Sequence, residues 1–215
     1  YKADYQGAKR ALPVALKQPP RAAGPQQEKV LSFEYEGERY RFSVPVRRAL
    51  LDYLGTVPQL EVATYFRSRS HPGLESALVA PLRRITGDMG RVEQVNLLLR
   101  FVQTAFEYQT DEEQFGREDY LYPEETVYYS ASDCEDRSVL FAWLVRRVLG
   151  LEVAVLDYPG HVATALAMEA GRGVRVTVDG RELMVADPTY VNARVGMVMP
   201  AFEGKRPRVV PLWEG

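Results

Sequence analysis

Cys134 is the residue whose setting first points to chemistry, because it is the only cysteine among the 215 residues and falls where a loop turns into a helix. The residues after it recur at helical spacing and end in a glycine stop: Leu140, Trp143, Leu144, Val148 and Gly150. A thiol at a helix start is near unpaired backbone N–H groups and the positive end of the helix dipole, which favour a thiolate. The pattern predicts a reactive cysteine.

Polar residues around Cys134 predict how this helix begins. Ser132 followed by Glu135 has the pattern of a capping box, with Asp133 as the alternative N-cap. A lone cysteine is usually inert packing, but a polar cap argues against burial as a hydrophobic residue. The flanking acids would raise the pKa of the thiol, so activation requires an ion pair with a protonated histidine.

His161 is the candidate base. It follows Pro159-Gly160 and opens a β-like segment, while Asp187 closes a later strand just before a proline. The carboxylate can accept a hydrogen bond from the imidazole Nδ1–H, so the order Cys, His, Asp can supply nucleophile, base and orienting group. The structural alternatives are an ordinary turn histidine and a strand-end aspartate.

These three elements resemble the catalytic core of the transglutaminase-like superfamily, which is related to the papain-like cysteine proteases, and in particular its bacterial cysteine peptidases. The resemblance is strongest over residues 92–200 and implies a Cys134–His161–Asp187 triad and acyl transfer on an amide or ester. Many members have glycine before the Asp-Cys pair, where this chain has Ser132.

Further site residues are predicted around the thiol. The oxyanion hole would use the Cys134 backbone N–H and a second donor, either Gln103 or the hydroxyl of Tyr128. Tyr129 and Tyr122 belong to a set of aromatic residues that could line a substrate groove or could equally be loop packing.

The expected function is a cysteine peptidase or amidase acting on a protein, peptide or cell-wall peptide through a thioacyl intermediate. An amine acceptor in place of water would make it a protein-crosslinking transglutaminase. The alternative from another class is a non-catalytic module that keeps the fold for binding.

Acidic residues at 111–113, 118 and 119 raise the question of calcium, on which some relatives in the superfamily depend. Their spacing matches no EF-hand, so we predict a solvated loop near the rim of the active site, no metal and no cofactor.

Composition narrows the remaining choices. The formal net charge is −2, which gives no nucleic-acid footprint, and no apolar run approaches the roughly 20 residues of a membrane span. A sequence that starts at Tyr1 is interpreted as a fragment or processed form; the compartment stays open, with export or a periplasmic location favoured.

The predicted fold class is α+β. Residues 1–27 are expected to be an arm or linker, and residues 28–215 a single domain whose catalytic core spans about 92–200. An N-terminal β-hairpin turns at Glu36-Gly37-Glu38 and ends at Pro45, and Glu61 to Phe66 is predicted as a strand. The Cys134 helix packs on an antiparallel sheet that includes a hairpin at Asp179-Gly180.

Overall fold

The structure, a computed structural model, describes residues 24–169 and 171–213. Most of the predicted arm, residues 1–27, therefore lies outside the described residues. Residues 26 and 27 belong to the first strand. The division into an arm and a single domain stays a prediction.

The first two strands form the predicted N-terminal hairpin. Strand β1 (Gln26–Tyr35) pairs antiparallel with β2 (Glu38–Arg47). Glu36 and Gly37 have φ angles of 49° and 83°, the left-handed conformation at both central positions that a tight two-residue hairpin turn requires.

One face of this hairpin is apolar and faces the core through four buried side chains: Leu31, Phe33, Phe42 and Val44. Pro45 does not end the hairpin as predicted, because β2 continues to Arg47. Both strands of a two-stranded sheet are edge strands. A proline in an edge strand breaks no hydrogen bond of the ladder when its nitrogen faces away from the partner strand.

The helices are short except for two. Their bounds are α1 (Arg48–Leu54), α2 (Val62–Phe66), α3 (Pro72–Leu74), α4 (Ala80–Thr86), α5 (Arg91–Thr104), α6 (Asp111–Phe115), α7 (Pro123–Tyr128) and α8 (Cys134–Leu144). A π-helical turn at Glu75–Val79 joins α3 to α4, and another at Val145–Leu149 extends α8. The first π turn lies just before Pro81, which lacks the N–H group that a regular helix needs there.

Residues 61–66 are not the strand that the sequence suggested. Tyr65 and Phe66 are consecutive and both are 2% exposed. Successive strand residues point to opposite faces, so a strand here would bury only one of the two, whereas the helical turn of α2 buries both.

The main sheet contains five antiparallel strands in the order β7-β8-β6-β5-β9. Their bounds are β5 (Val153–Tyr158), β6 (His161–Leu166), β7 (Arg175–Val178), β8 (Arg181–Ala186) and β9 (Arg208–Pro211). The predicted hairpin turn at Asp179-Gly180 is confirmed, with φ angles of 50° and 76°. Strand β9 was not predicted; it pairs with β5 and brings the C-terminal region back over the sheet.

Helix α8 packs on strand β6 at the centre of the fold. Every residue from Glu135 to Leu144 is buried, and the apolar part is in the main core with Val139, Leu140 and Phe141 at 1% exposure or less. The predicted α+β class is confirmed. No helix among the described residues is long and apolar enough to cross a membrane.

Candidate active site

Cys134 is the first residue of α8, directly after the N-cap Asp133. The predicted capping box is absent from this helix start, because Ser132 Oγ accepts a hydrogen bond from Arg137 Nε at 3.3 Å. The thiol Sγ donates to Glu135 Oε2 at 2.9 Å. Burial raises the pKa of the Cys134 thiol, and the charge of Glu135 raises it further.

His161 and Asp187 form a buried hydrogen-bonded pair. The distance from His161 Nε2 to Asp187 Oδ2 is 2.9 Å, and the two side chains are 6% and 3% exposed. The second oxygen, Asp187 Oδ1, accepts from the backbone N–H groups of Thr189 and Tyr190. The prediction that Nδ1 would bond Asp187 is therefore wrong: Nε2 faces the carboxylate, which leaves Nδ1 of the imidazole for a thiol.

The sheet brings this pair together. His161 opens β6, Asp187 follows the last residue of β8, and these two strands are neighbours with Thr164 opposite Ala186. Gly160, at a φ of 74°, makes the tight turn before His161. Two residues 26 positions apart therefore meet at the same end of two neighbouring strands inside the sheet.

Helix α8 brings Cys134 to the same end of these strands. One turn into the helix, Ser138 Oγ donates to the carbonyl of Val162, the residue after His161, at 2.9 Å. Cys134 and His161 line one open groove with a volume of about 1460 Å³. The structure thus brings all three predicted residues to one place, with the thiol hydrogen-bonded to Glu135.

The imidazole of His161 is covered by the C-terminal region. Phe202, in a short 3-10 helix at Pro200–Phe202, stacks on it with ring centroids 4.7 Å apart and an interplanar angle of 16°. Tyr158 packs against Phe202 at 5.0 Å. These aromatic rings restrict the rotation of the imidazole and shield its bond to Asp187 from water.

Gln103 does not fit its predicted role as oxyanion donor. Its side chain is buried, and its Nε2 donates to the carbonyls of Asp187, Tyr190 and Ala193 at 3.2, 2.9 and 3.1 Å. An amide shared among three carbonyls has no donor left for a substrate. Gln103 instead holds the loop that follows Asp187.

The hydroxyl of Tyr128 is also directed elsewhere. It accepts a hydrogen bond from Arg48 at 3.3 Å, and Tyr128 does not line the groove. Tyr122 and Tyr129, for which the sequence left groove lining and loop packing equally open, do not line it either. They border a neighbouring cavity of about 490 Å³, which shares Gln59, Glu118 and Tyr120 with the groove.

Tyr108 and Arg137 are the residues that sequence reasoning missed. Tyr108 lies in β3 (Glu107–Tyr108), which pairs in parallel with β4 (Ala131–Ser132) just before Cys134, and it lines the groove. The Arg137 guanidinium lies 5.4 Å from the centre of the Tyr108 ring. The position of Arg137, one turn into the helix predicted to pack on the sheet, is the feature of the sequence that could have indicated its role.

Arg137 is 1% exposed and joins several elements through buried hydrogen bonds. It donates to the carbonyls of Phe106 and Gln103 and to Ser132 Oγ, so it ties α5, β4 and the start of α8 together. Burial lowers the pKa of its guanidinium.

Three aspartates form a buried acidic cluster beside the thiol. Carboxylate oxygens of Asp111, Asp133 and Asp136 all lie within 4.8 Å of one another. Asp111 and Asp136 each use one oxygen to accept a backbone N–H, from Asp119 and Leu121. The predicted solvated loop is therefore buried at Asp111, although Glu112 and Glu118 are exposed.

The remaining oxygens of this cluster, Asp111 Oδ1, Asp133 Oδ1 and Asp136 Oδ2, have no hydrogen-bond partner in the described part of the chain. Burial raises the pKa of Asp111 to about 6 and that of Asp133 to about 7, with the charge of Glu135 adding to the second shift. These are the residues that could hold a divalent cation, since oxygen ligands suit Ca²⁺ and Mg²⁺. The prediction that the protein uses no metal remains a prediction.

No protein-family model matches this sequence, and no curated protein matches it. Among solved structures, the chain is similar to a crystal structure from Cytophaga hutchinsonii that is provisionally named a cysteine protease. The TM-score is 0.40 with 14% identity, and the match covers 77% of this chain and 63% of that one. The chain thus spans less than two thirds of that protein, and so distant a likeness carries no argument.

Proposed function

We propose that the protein is a cysteine hydrolase, a peptidase or amidase of the transglutaminase-like type, with Cys134 as nucleophile, His161 as base and Asp187 as orienting group. The observation that carries this proposal is the buried His161–Asp187 hydrogen bond of 2.9 Å beside a groove that also contains Cys134 at a helix start. A buried, oriented imidazole next to a thiol is the arrangement that nucleophilic catalysis requires.

In the proposed reaction, Nδ1 of His161 takes the thiol proton and Sγ attacks the carbonyl carbon of the substrate. The backbone N–H of Cys134 donates to the oxyanion of the tetrahedral intermediate. The imidazolium then protonates the leaving amine as the C–N bond breaks, which leaves a thioester on Cys134. A water molecule activated by His161 hydrolyses the thioester and restores the thiol.

The first step requires the thiol to leave Glu135. The hydrogen bond from Sγ to Oε2 and the charge of that carboxylate both favour the protonated thiol. Formation of the Cys134 thiolate with a protonated His161 offsets this cost by pairing opposite charges.

The second candidate is a non-catalytic binding module, and the Cys134–Glu135 hydrogen bond is the observation that favours it. A thiol that stays bonded to a carboxylate, with a raised pKa, is a poor nucleophile at neutral pH. The groove would then bind a ligand without reacting with it.

Alkylation of Cys134 as a function of pH tests the proposal, and the single thiol makes the signal unambiguous. The wild type is compared with His161→Ala and Asp187→Asn, and His71→Ala is the matched control for loss of a histidine. We expect fast reaction below about pH 7 in the wild type and control, and slow reaction there in the other two. A profile that rises only near pH 8.5 or above and is the same in all four proteins would favour the binding module.

Substrate turnover completes the test. Peptide amides are incubated with and without a primary amine, and the products are analysed by mass spectrometry. Free acid as the main product supports the hydrolase, whereas incorporation of the amine would make the protein a transglutaminase.

A further inference from the structure

We infer that the Cys134 groove selects polypeptide segments that carry a lysine or arginine side chain next to the reacting amide. This inference rests on the proposed function, because it names the substrate class of the same site. It is carried by the charge of the groove, by two buried carboxylate oxygens in its wall and by the aromatic residues beside them.

Negative charge is concentrated in the groove. The whole chain has a formal net charge of only −2. The lining of the groove contains seven acidic residues and two arginines: Glu61, Asp111, Glu112, Glu118, Asp133, Glu135 and Asp157, with Arg67 and Arg208. A cleft lined by one sign of charge focuses the field and attracts ligands of the opposite sign.

The two arginines neutralise only part of this charge. Arg208 pairs with Asp157 at 2.8 Å, and the Arg67 guanidinium donates to the backbone carbonyl of Pro211. In the described part of the chain, none of the other six acids forms an ion pair with a basic side chain. The groove therefore has negative charge available for a ligand.

Three of these acids are exposed and come from different parts of the chain. Glu61 precedes α2, Glu112 lies in α6, and Glu118 follows α6 in the loop before Tyr120. All three line the groove, where they can pair with basic side chains of a polypeptide segment.

The groove wall also contains buried carboxylates that lack partners. Asp111 and Asp133 are 2% and 6% exposed, and the Oδ1 atom of each has no hydrogen-bond partner in the described residues. A buried acceptor without a hydrogen-bond partner destabilises the fold, and a donor that reaches it removes this cost. Both oxygens are inaccessible to solvent, so a lysine ammonium or arginine guanidinium in the groove would donate to them once the Asp111 and Asp133 side chains turn toward it.

The aromatic residues on this side suit a cationic side chain. Tyr108 is 55% exposed, with the Arg137 guanidinium already over its ring, and Tyr120 lies beside Glu118 in the groove lining. Tyrosine rings attract cations through their faces and pack against the methylene groups of lysine and arginine.

A first experiment measures the charge preference of the groove without any turnover. Cys134 is modified with two methanethiosulfonates of similar size, one cationic (2-aminoethyl) and one anionic (2-sulfonatoethyl). We expect the cationic reagent to react at least ~10-fold faster at low salt and the difference to shrink as salt is added. The triple variant Glu61→Gln, Glu112→Gln and Glu118→Gln should lose most of this difference.

The matched control is a second triple variant, Glu38→Gln, Glu169→Gln and Glu203→Gln. These acids are also exposed, but they lie outside the groove. The control changes the net charge by the same amount and should keep the wild-type ratio of rates. Equal rates for the two reagents, or an equal loss in both triple variants, would overturn the inference.

A second experiment measures substrate selection with fluorogenic peptide amides. The peptides differ only at the residue whose carbonyl is attacked or at the residue adjacent to it. Lysine and arginine are compared with glutamine and norleucine. We expect kcat/KM to be ~10-fold or more higher for the basic peptides, and this preference to fall in the groove triple variant only. Equal turnover of basic and neutral peptides would overturn the inference and leave the proposed function standing.

Fluorescence anisotropy measures the binding of the same peptides to the Cys134→Ser variant. This binding separates the hydrolase proposal from the recognition of basic segments. Tight binding of basic peptides with no turnover by the wild type would mean that the hydrolase proposal fails, while recognition of basic segments stands. All measurements are made with a chelator and with added Ca²⁺. A preference for basic peptides that Ca²⁺ abolishes would show that the acids form a metal site only, and the inference would fail.

Discussion

Cys134 and Glu135, neighbours at the start of α8, are hydrogen-bonded to each other, with Sγ 2.9 Å from Oε2. The nucleophile of the proposed reaction is therefore paired with a carboxylate rather than with the imidazole that would activate it. The same carboxylate belongs to the acidic lining of the groove. Whatever neutralises Glu135, whether a proton or a basic substrate, makes the thiol easier to ionise.

Replacing Glu135 with glutamine tests this relationship. Removal of the negative charge should lower the pKa of the thiol, so the rate of Cys134 alkylation at pH 7 should rise by about tenfold for each unit of pKa. The measurement is the pH profile of alkylation. Glu38→Gln is the control and should match the wild type; an unchanged profile for Glu135→Gln would mean that burial alone sets the reactivity of the thiol.

Replacing Gln103 with leucine should loosen the loop after Asp187. Three carbonyls lose their donor, and we expect the free energy of unfolding in urea to fall by about 2–3 kcal/mol. Gln27→Leu, at an exposed position of β1, is the control and should change it by less than about 0.5 kcal/mol. A variant with full stability and a selective loss of kcat would instead restore Gln103 as a donor in the active site.

Gly196 should tolerate no side chain. It has a φ of 87°, and a Cβ atom there would lie 2.8 Å from Gly173 Cα and 2.9 Å from the carbonyl oxygen of Arg172. We expect Gly196→Ala to lower the free energy of unfolding by about 2 kcal/mol or more. Gly90→Ala is the matched control, because its Cβ would meet open space at a φ of −65°, and it should be close to neutral. Equal stability of the two variants would contradict the close approach of these loops.

Stability should fall as pH rises through the range in which the buried aspartates ionise. The pKa of Asp111 is raised from 3.8 to about 6, so the folded state holds its proton more tightly than the unfolded state. The stabilisation is fully present below pH 3.8 and is lost as pH rises through about 6. At roughly 1.4 kcal/mol per unit of pKa, the loss for Asp111 is at most ~3 kcal/mol, because solvent near the carboxylate screens part of the shift.

Urea unfolding between pH 4 and pH 8, in buffer without divalent cations, measures this effect. Asp111→Asn keeps an acceptor for the Asp119 N–H but cannot ionise, so its stability should depend less on pH. Asp52→Asn, at an exposed position of α1, should follow the wild type. A wild type that is equally stable at pH 5 and pH 8 would contradict the prediction.

The sequence determined the local elements and the identity of the three candidate residues. Helical periodicity after Cys134, the turn at Gly160-His161 and the strand end at Asp187 are encoded by neighbours in the chain, as are the hairpins at Glu36-Gly37 and Asp179-Gly180. Residue types and their order predicted that a thiol, an imidazole and a carboxylate would be brought together. The α+β class followed from the same periodicities.

The surroundings of those residues depend on how distant parts of the chain pack together. Residue type alone allows Gln103 to be an oxyanion donor, but in the fold its amide donates to three carbonyls of the loop after Asp187. Residue type also allows Tyr122 and Tyr129 to line the groove, but in the fold they line the neighbouring cavity. Asp111 became a buried neighbour of Asp133 because α6 packs near the start of α8. Such contacts join residues far apart in the chain, and their energies depend on burial and distance, which residue order does not contain.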